Sequence, residues 1–481
     1  MGKQNLTLMT DLYELTMMQG YFRNKDRNET VIFDAFYRNN PMDSGYSICA
    51  GLEQVIDYIN NLHFEDDDIA YLRSLGIFGE DFLNYLRDFH FSGDIYAIPE
   101  GSIMFPREPM IKVIAPIMEA QLVETAILNI INHQSLIATK TSRVCFAARG
   151  DGIMEFGLRR AQAPDAAVYG ARAALIGGCS STSNVLAAQM CDTFATGTHA
   201  HSWIMAFDSE LEAFRAYAEI YPDSCLLLVD TYDTLRGVKN AITVFKEMRA
   251  KGLKPKGIRL DSGDLAYLSK KAREMLDEAG FEDAMIFASG DLDEYTIQSL
   301  KLQGARIDCY GVGTKLITSH SNPSLGGVYK ICEVEENGVM TPKMKISDNP
   351  AKVTNPGEKR IFRLVSKNNN KAIADVICLA DEKIDESKPY TLIHPEYRWK
   401  TKEVRNFRAK ELYRQIYKDG KLVYDLPDLK TIQRRKRESF DEFWDEYKRL
   451  EKPHIYKVDL SEKLYNLKQK LIDELVGKKG K

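Results

Sequence analysis

None of the eight cysteines (Cys49, Cys145, Cys179, Cys191, Cys225, Cys309, Cys332, Cys378) stands in a Cys-x-x-Cys pair. That scatter argues against a Cys-type zinc site and against a disulfide framework, since the first needs closely paired thiols and the second a Cys-dense chain. No apolar run approaches the roughly 20 residues that cross a bilayer. Residues 1–10 have no basic stretch followed by an apolar one, so they do not read as a secretion signal. Charge of one sign is scarce too. The net value is −4 over 481 residues, which supplies no field for bulk nucleic-acid or anionic-membrane binding. The basic run at 434–437 reads as a solvated helix face. Internal repeats and low-complexity segments are absent. These lacks leave the expectation of a cytoplasmic enzyme with reduced thiols and no nucleic-acid or membrane partner.

What the chain has is rhythm. Hydrophobic residues make up 44%, enough for several buried cores, and the length suggests about three domains. In the first part, 11–21 and 50–62 carry helical spacing, while 31–37 and 110–117 read as strands. A long helical pattern over 119–136 reads as a bridge to the next domain. From about residue 142 to 318, short apolar runs alternate with helical stretches. The runs fall at 153–156, 174–176, 225–229, 257–260, 285–288 and 308–312. Helical patterns begin at 165 and cover 211–221, 237–251, 265–278 and 293–300. Repeated strand–helix units imply a parallel sheet, and six in so short a stretch favour a closed barrel. The expected fold class is α/β and α+β multidomain. A mixed α+β domain covers 1–136, completed by part of the C-terminal region. An irregular (β/α) barrel of parallel strands covers 137–326, a β-rich segment 327–394, and a charged helical region 395–481.

Residues 257–264 read Gly-Ile-Arg-Leu-Asp-Ser-Gly-Asp, the most informative stretch of the chain. A short strand pattern carries Arg259. Asp261 and Asp264 then flank Ser262-Gly263, and a helical pattern opens at Leu265. The turn lacks the Lys-Ser/Thr pair of a P-loop. Charged groups just past a strand and before a helix sit where α/β enzymes keep their active sites. Two such carboxylates suit a metal or a pair of ribose hydroxyls.

Other junctions repeat the theme. Glu155-Phe156-Gly157-Leu158-Arg159-Arg160 offers an aromatic plane and two guanidiniums that fit a carboxylate or phosphate; the plainer reading is a surface turn with salt bridges. Residues 177–184 form a small-residue turn that reads as an anion site or simply as a capped helix start. His199 and His201 flank Ala200 in Thr-His-Ala-His. Without a third ligand they make a weak metal pair. A nucleophilic imidazole is another role, and a core or capping histidine the default for either alone. Asp230 ends one apolar run; Ser289-Gly290-Asp291 and Gly311-Val312-Gly313-Thr314 end two more. Glycines there let backbone N–H groups approach a phosphate closely. Each junction alone is a weak signal, but five in one alternating block point to a common site.

Taken together these residues resemble the nicotinate phosphoribosyltransferase family over most of the chain. The resemblance rests on 10–17 (Thr-Asp-Leu-Tyr-Glu-Leu-Thr-Met), Glu155-Phe156-Gly157-x-Arg159-Arg160, Gly197-Thr198-x-Ala200-His201 and Arg259-x-Asp261-Ser262-Gly263-Asp264. Ser289-Gly290-Asp291, Gly311-Val312-Gly313-Thr314, Lys345-x-Ser347, Lys352 and Pro356-Gly357-x-Lys359 complete it. The resemblance implies joining of nicotinate to 5-phosphoribosyl-1-pyrophosphate, giving nicotinate mononucleotide and pyrophosphate, coupled to ATP hydrolysis. It implies Mg²⁺ on the pyrophosphate and a homodimer with shared sites.

By the same resemblance Tyr13, from the partner subunit, and Phe156 stack on the pyridine ring. Arg259 lies near the ring and the ribosyl phosphate, and Arg159 binds the product's phosphate. Asp261 meets the ribose hydroxyls and Asp230 the region of the reacting carbon. Gly290, Asp291, Gly311, Gly313 and Thr314 bind phosphate. His201 takes a phosphoryl group from ATP. Thr182 and Ser183 are substrate contacts. Ser183 stands where related nicotinamide enzymes place an Asp, which favours nicotinate because a hydroxyl donates to a carboxylate that an Asp repels.

The alternative is a nicotinamide phosphoribosyltransferase. More distant rivals are a quinolinate phosphoribosyltransferase, a non-catalytic phosphate-binding barrel, and a metal-dependent hydrolase built on His199, His201, Asp230, Asp233 and Asp261.

Overall fold

The computed structural model describes residues 5–25, 28–349 and 352–477. The chain divides into two compact units, one of residues 1–136 with 324–481, the other of 137–323. The division after Leu136 falls inside a 25-residue helix, Glu124–Ala148.

In the first unit, Thr30–Phe36 lies in the interior of a seven-stranded sheet, antiparallel to Ile111–Pro116 on one side and Val328–Glu336 on the other. Residues 31–35 are buried without alternation, as expected of a strand covered on both faces. Asp34 is tolerated there because the buried Lys359 ammonium meets it at 2.8 Å. A six-stranded sheet contains Lys359–Ser366 and Ala372–Leu379. At its centre the Arg363 guanidinium grips Asp375, Nη2 to Oδ2 at 2.7 Å, and the Tyr456 hydroxyl donates to the same carboxylate at 2.8 Å. Residues 395–481 are not chiefly helical, as their charge suggests. Strands Thr401–Val404, Phe407–Glu411, Arg414–Lys418 and Val458–Leu460 accompany helices Leu429–Asp441 and Glu462–Gly477. The strands hide their period because exposed Lys and Arg outnumber the buried anchors Val404, Phe407 and Ile416.

The second unit is a parallel α/β layer. Its six-stranded sheet runs in the order Ser181–Thr182, Gly152–Glu155, Cys309–Val312, Met285–Ser289, Gly257–Leu260, Leu226–Leu228, and every pairing is parallel. Helices Pro164–Gly177, Thr234–Ala250, Leu265–Glu278 and Glu294–Leu302 follow the strands. Several start on an Asp. Asp233, Asp264 and Asp293 each accept from the backbone N–H three residues on, so each junction fixes the direction of its helix.

One expected strand is absent. Residues 174–176 belong to helix Pro164–Gly177, which is buried from Ala171 to Gly177. A short run of small apolar residues has no period of its own, and burial on all sides makes a helix look like a strand. The strand itself is Ser181–Thr182, two residues long and set in the turn read as a helix start.

Candidate active site

The C-terminal ends of the parallel strands bring Arg259, Asp261, Asp230, His201 and Phe156 into one bonded group. Arg259, near the end of Gly257–Leu260, uses all three nitrogens of its fork. Nε donates to Ser289 Oγ at 2.8 Å, Nη1 to Thr198 Oγ1 at 2.7 Å and Nη2 to Asp261 Oδ1 at 2.7 Å. Its carbon Cζ lies 5.7 Å from the Phe156 ring centroid. A planar cation held at three points is a fixed charge rather than a mobile one.

Asp261 receives both Arg259 and the Ser289 hydroxyl on Oδ1. Burial opposes its ionisation, but these bonds outweigh it and hold the carboxyl below its ordinary range. Asp230 Oδ2 accepts the Asp261 amide at 3.0 Å and the Ser262 hydroxyl at 2.7 Å. Its other oxygen, Oδ1, is buried and has no hydrogen-bond partner among the described residues. A buried acceptor left without a partner at the strand ends is a point where a ligand group can attach.

The two histidines divide their tasks. His201 is 40% exposed in its side chain; Nδ1 lies 3.1 Å from Thr231 Oγ1, and Nε2 lies 3.8 Å from Asp261 Oδ2. One nitrogen is thus oriented while the other faces the acidic side of the cleft. His199 is buried. Its Nε2 accepts from the Leu228 amide at 3.2 Å, and its ring meets Tyr217 edge-on at 4.6 Å. Burial pushes its pKa down to about 4, so it is a neutral core residue at neutral pH.

The glycines act by vacancy. Gly290 and Gly263 hold positive φ, at 97° and 83°. A Cβ on Gly290 would collide with the Asp261 carbonyl, and one on Gly311 with the Phe156 ring. Gly311 therefore leaves the space that one edge of the Phe156 ring occupies. Gly313 precedes the single turn Thr314–Ile317, and Asp291 sits at φ 45° beside Gly290.

Arg159 stands exposed on the short turn Leu158–Arg160, and no partner engages its guanidinium among the described residues. Ser183 likewise keeps an unengaged hydroxyl among the described residues, while its backbone N–H donates to the Glu155 carbonyl at 3.0 Å. Tyr13 lies in the first unit, on helix Leu12–Asn24, and is 48% exposed. Its pKa is raised to about 12, by burial first and then by Glu124 and Glu14.

Three expectations change. Thr182, expected to touch substrate, is fully buried and donates its hydroxyl to Glu155 Oε2 at 2.6 Å, so it shapes the wall of the site. Asp264 and Asp233 accept from backbone amides as helix caps and are occupied by that. With His199 in the core and Asp233 capping a helix, the hydrolase constellation loses two of its candidates; among the described residues no three His, Cys, Asp or Glu gather as a metal site. Sequence reading passed over Ser289, Thr198 and Thr231, which hold Arg259 and His201. They stand inside or beside the quoted motifs, but a hydroxyl carries no periodic or charge signal.

Comparison with known proteins gives three family-model matches. The nicotinate phosphoribosyltransferase N-terminal domain matches residues 8–132, the nicotinate phosphoribosyltransferase family model 152–386, and the C-terminal domain 358–468. Nicotinate phosphoribosyltransferase of Bacillus subtilis is 48% identical over 472 residues, covering 98% of this chain and 96% of that one. The Caenorhabditis elegans enzyme of the same name is 34% identical, covering 95% and 92%. Among solved structures, human nicotinic acid phosphoribosyltransferase superposes with a TM-score of 0.86 at 28% identity, covering 96% of this chain and 99% of that one. Nicotinate-nucleotide pyrophosphorylase of Pyrococcus furiosus shares the fold, with a TM-score of 0.69 at 24% identity over 91% and 96%. The chain belongs to the nicotinate phosphoribosyltransferase family.

Proposed function

We propose that this enzyme, a nicotinate phosphoribosyltransferase of NAD salvage, transfers the phosphoribosyl group to nicotinate inside the Arg259–Asp261–Phe156 cluster and couples the transfer to ATP through His201. The observation that carries the reading is the triply held Arg259 guanidinium facing the Phe156 ring. A flat aromatic anion can stack on such a ring and turn its carboxylate towards such a cation.

The pyridine nitrogen of nicotinate already has a free lone pair, so attack on the ribosyl carbon needs no general base. The protein's task is to position the ring and stabilise an oxocarbenium-like centre as pyrophosphate leaves. Asp261 is placed to accept from the ribose hydroxyls, and Asp230 Oδ1 to face the reacting region. Arg159 and the backbone around Gly290, Asp291, Gly311, Gly313 and Thr314 take the phosphates. Mg²⁺ would neutralise the departing pyrophosphate. One unengaged Asp230 oxygen, without a three-ligand cluster, fits an ion carried in by pyrophosphate rather than one caged by protein.

The free Ser183 hydroxyl supports nicotinate over nicotinamide. His201, exposed and oriented through Nδ1 by Thr231, leaves Nε2 as the atom to accept a phosphoryl group. Phosphate there adds negative charge beside the Asp261 side of the cleft and shifts the balance between substrate and product.

Closure of the parallel sheet into an irregular barrel fits the segment 193–199. Ala195 bridges Thr182 in parallel, Thr196 donates to the Thr182 carbonyl at 2.9 Å, and His199 takes the Leu228 amide. A homodimer with Tyr13 of the partner subunit over the ring fits the exposed apolar residues Val185, Met190 and Phe194. Cysteines that form no disulfide fit the cytoplasm.

The test is nicotinate mononucleotide formation with Mg²⁺, with and without ATP, against nicotinamide in parallel. Product from nicotinate, raised by ATP in the native enzyme and no longer raised in His201→Ala, is the expected result. Product from nicotinamide alone overturns the Ser183 argument, and an ATP effect that survives His201→Ala overturns the phosphohistidine.

A further inference from the structure

Glu155 ends the strand Gly152–Glu155 with a side chain wholly removed from solvent. The groups that face its carboxylate are a hydroxyl and an amide. Oε1 accepts the Gly157 backbone N–H, and Oε2 accepts the Thr182 hydroxyl at 2.6 Å. Burial raises its pKa, and these two bonds oppose the rise. A buried acid without a cation facing it needs another reason to be there.

We infer that Glu155 is a positioning residue for nicotinate: its carboxylate clamps the turn after Phe156 to the strand before Ser183, fixing the ring plane and the hydroxyl against each other. The inference rests on the reading above, in which Phe156 and Ser183 meet the substrate.

The connectivity is compact. Gly157 directly follows Phe156, and Thr182 directly precedes Ser183. Each residue that reads the substrate is one peptide away from a carboxylate oxygen of the same side chain. The Glu155 carbonyl takes the Ser183 N–H at 3.0 Å, and the Phe156 N–H donates to the Val312 carbonyl at 2.9 Å. Phe156 can then shift only by breaking the Gly157 bond, because its ring already lies against Gly311.

The clamp calls for a carboxylate. Thr182 Oγ1 accepts the Asn184 N–H at 3.0 Å and gives its own proton to Glu155 Oε2. Gly157 also donates. Two donors converge on one side chain, and only an acid is an acceptor at both ends. A glutamine in the same place keeps one acceptor, and its NH₂ can meet the Thr182 oxygen only if the hydroxyl turns its proton away and gives up the present bond.

The experiment compares Glu155→Gln, Thr182→Val, their double variant and Thr182→Ser in the full-length enzyme, with Phe156→Ala as reference. Readouts are KM for each substrate, kcat and the melting temperature. The expected result is a rise of about ten-fold or more in nicotinate KM for Glu155→Gln and Thr182→Val, with phosphoribosyl pyrophosphate KM and kcat within about three-fold. The double variant should be no worse than the poorer single one, since both cut one clamp. Thr182→Ser, which keeps the hydroxyl, should restore the native KM.

A nicotinate KM within two-fold of native in both Glu155→Gln and Thr182→Val overturns the inference. So does an equal rise in both KM values with a matching loss of melting temperature. If Glu155→Gln does not fold, the Thr182→Val and Thr182→Ser pair decides alone. An unchanged nicotinate KM in Phe156→Ala instead removes the stacking reading, and the inference with it.

Discussion

Ser183 offers a hydroxyl at the sheet end that no described residue engages, and a single group of this kind can separate two pyridines. A hydroxyl donates to the carboxylate of nicotinate. An aspartate would meet that carboxylate with like charge at short range, where partial burial makes repulsion strong. Ser183→Asp should therefore lower kcat/KM for nicotinate by roughly ten-fold more than Ser183→Ala does. Equal losses would take Ser183 out of specificity. His199 carries a different prediction. Its pKa falls from 6.5 to about 4 on folding, so the unfolded chain binds the proton first as pH drops. Stability owed to the neutral ring is complete above pH 6.5 and lost as pH falls towards 4, on the order of 3 kcal/mol in all. Melting followed from pH 7 to 4.5 should show a flatter decline in His199→Gln, which still accepts from Leu228 but does not titrate. The sequence singled out His201 only through its register after Gly197-Thr198. It had no means of separating His199 from it by environment, because Tyr217 and Leu228, which bury that ring, arrive from other elements.

The strand ends of the parallel sheet were readable as sites because each changes from apolar to charged or glycine-rich within two residues. Gly311 shows what such a position is for. Alanine there places a methyl inside the Phe156 ring, and moving the ring breaks its alignment with Arg259. Gly311→Ala should raise nicotinate KM at least several-fold. The folding cost should stay within the 1–3 kcal/mol typical of overpacking, read as a modest fall in melting temperature. A normal KM would mean that the ring has room to retreat. The elements the sequence missed share one cause. Residues 174–176 and the Ser181–Thr182 strand depend on what packs around them, and a two-residue strand has no period to detect. The strands after residue 400 were obscured in the other way, by exposed lysine and arginine on a half-buried face.

At the scale of the whole molecule, the second unit leaves Phe194 88% exposed and Val185 72% exposed. The homodimer proposed above would cover such side chains. If sites are shared, Tyr13→Ala and Arg259→Ala are each nearly inactive alone, yet mixing them after dissociation and reassembly should restore one working site in each mixed dimer. Recovery near a quarter of native activity is expected for random pairing, measured as nicotinate mononucleotide formation. No recovery, with mixed dimers demonstrated by mass, would place each site within one copy. The helix caps at Asp233, Asp264 and Asp293 have a further consequence. Each site loop has only three or four residues between the strand end and the Asp that ties down the first turn of the next helix. Such loops have little conformational freedom to surrender. Titration calorimetry of nicotinate should then report a small entropic penalty of ordering, and exchange of the Asp261 amide, which Asp230 holds, should be slow before any ligand is added.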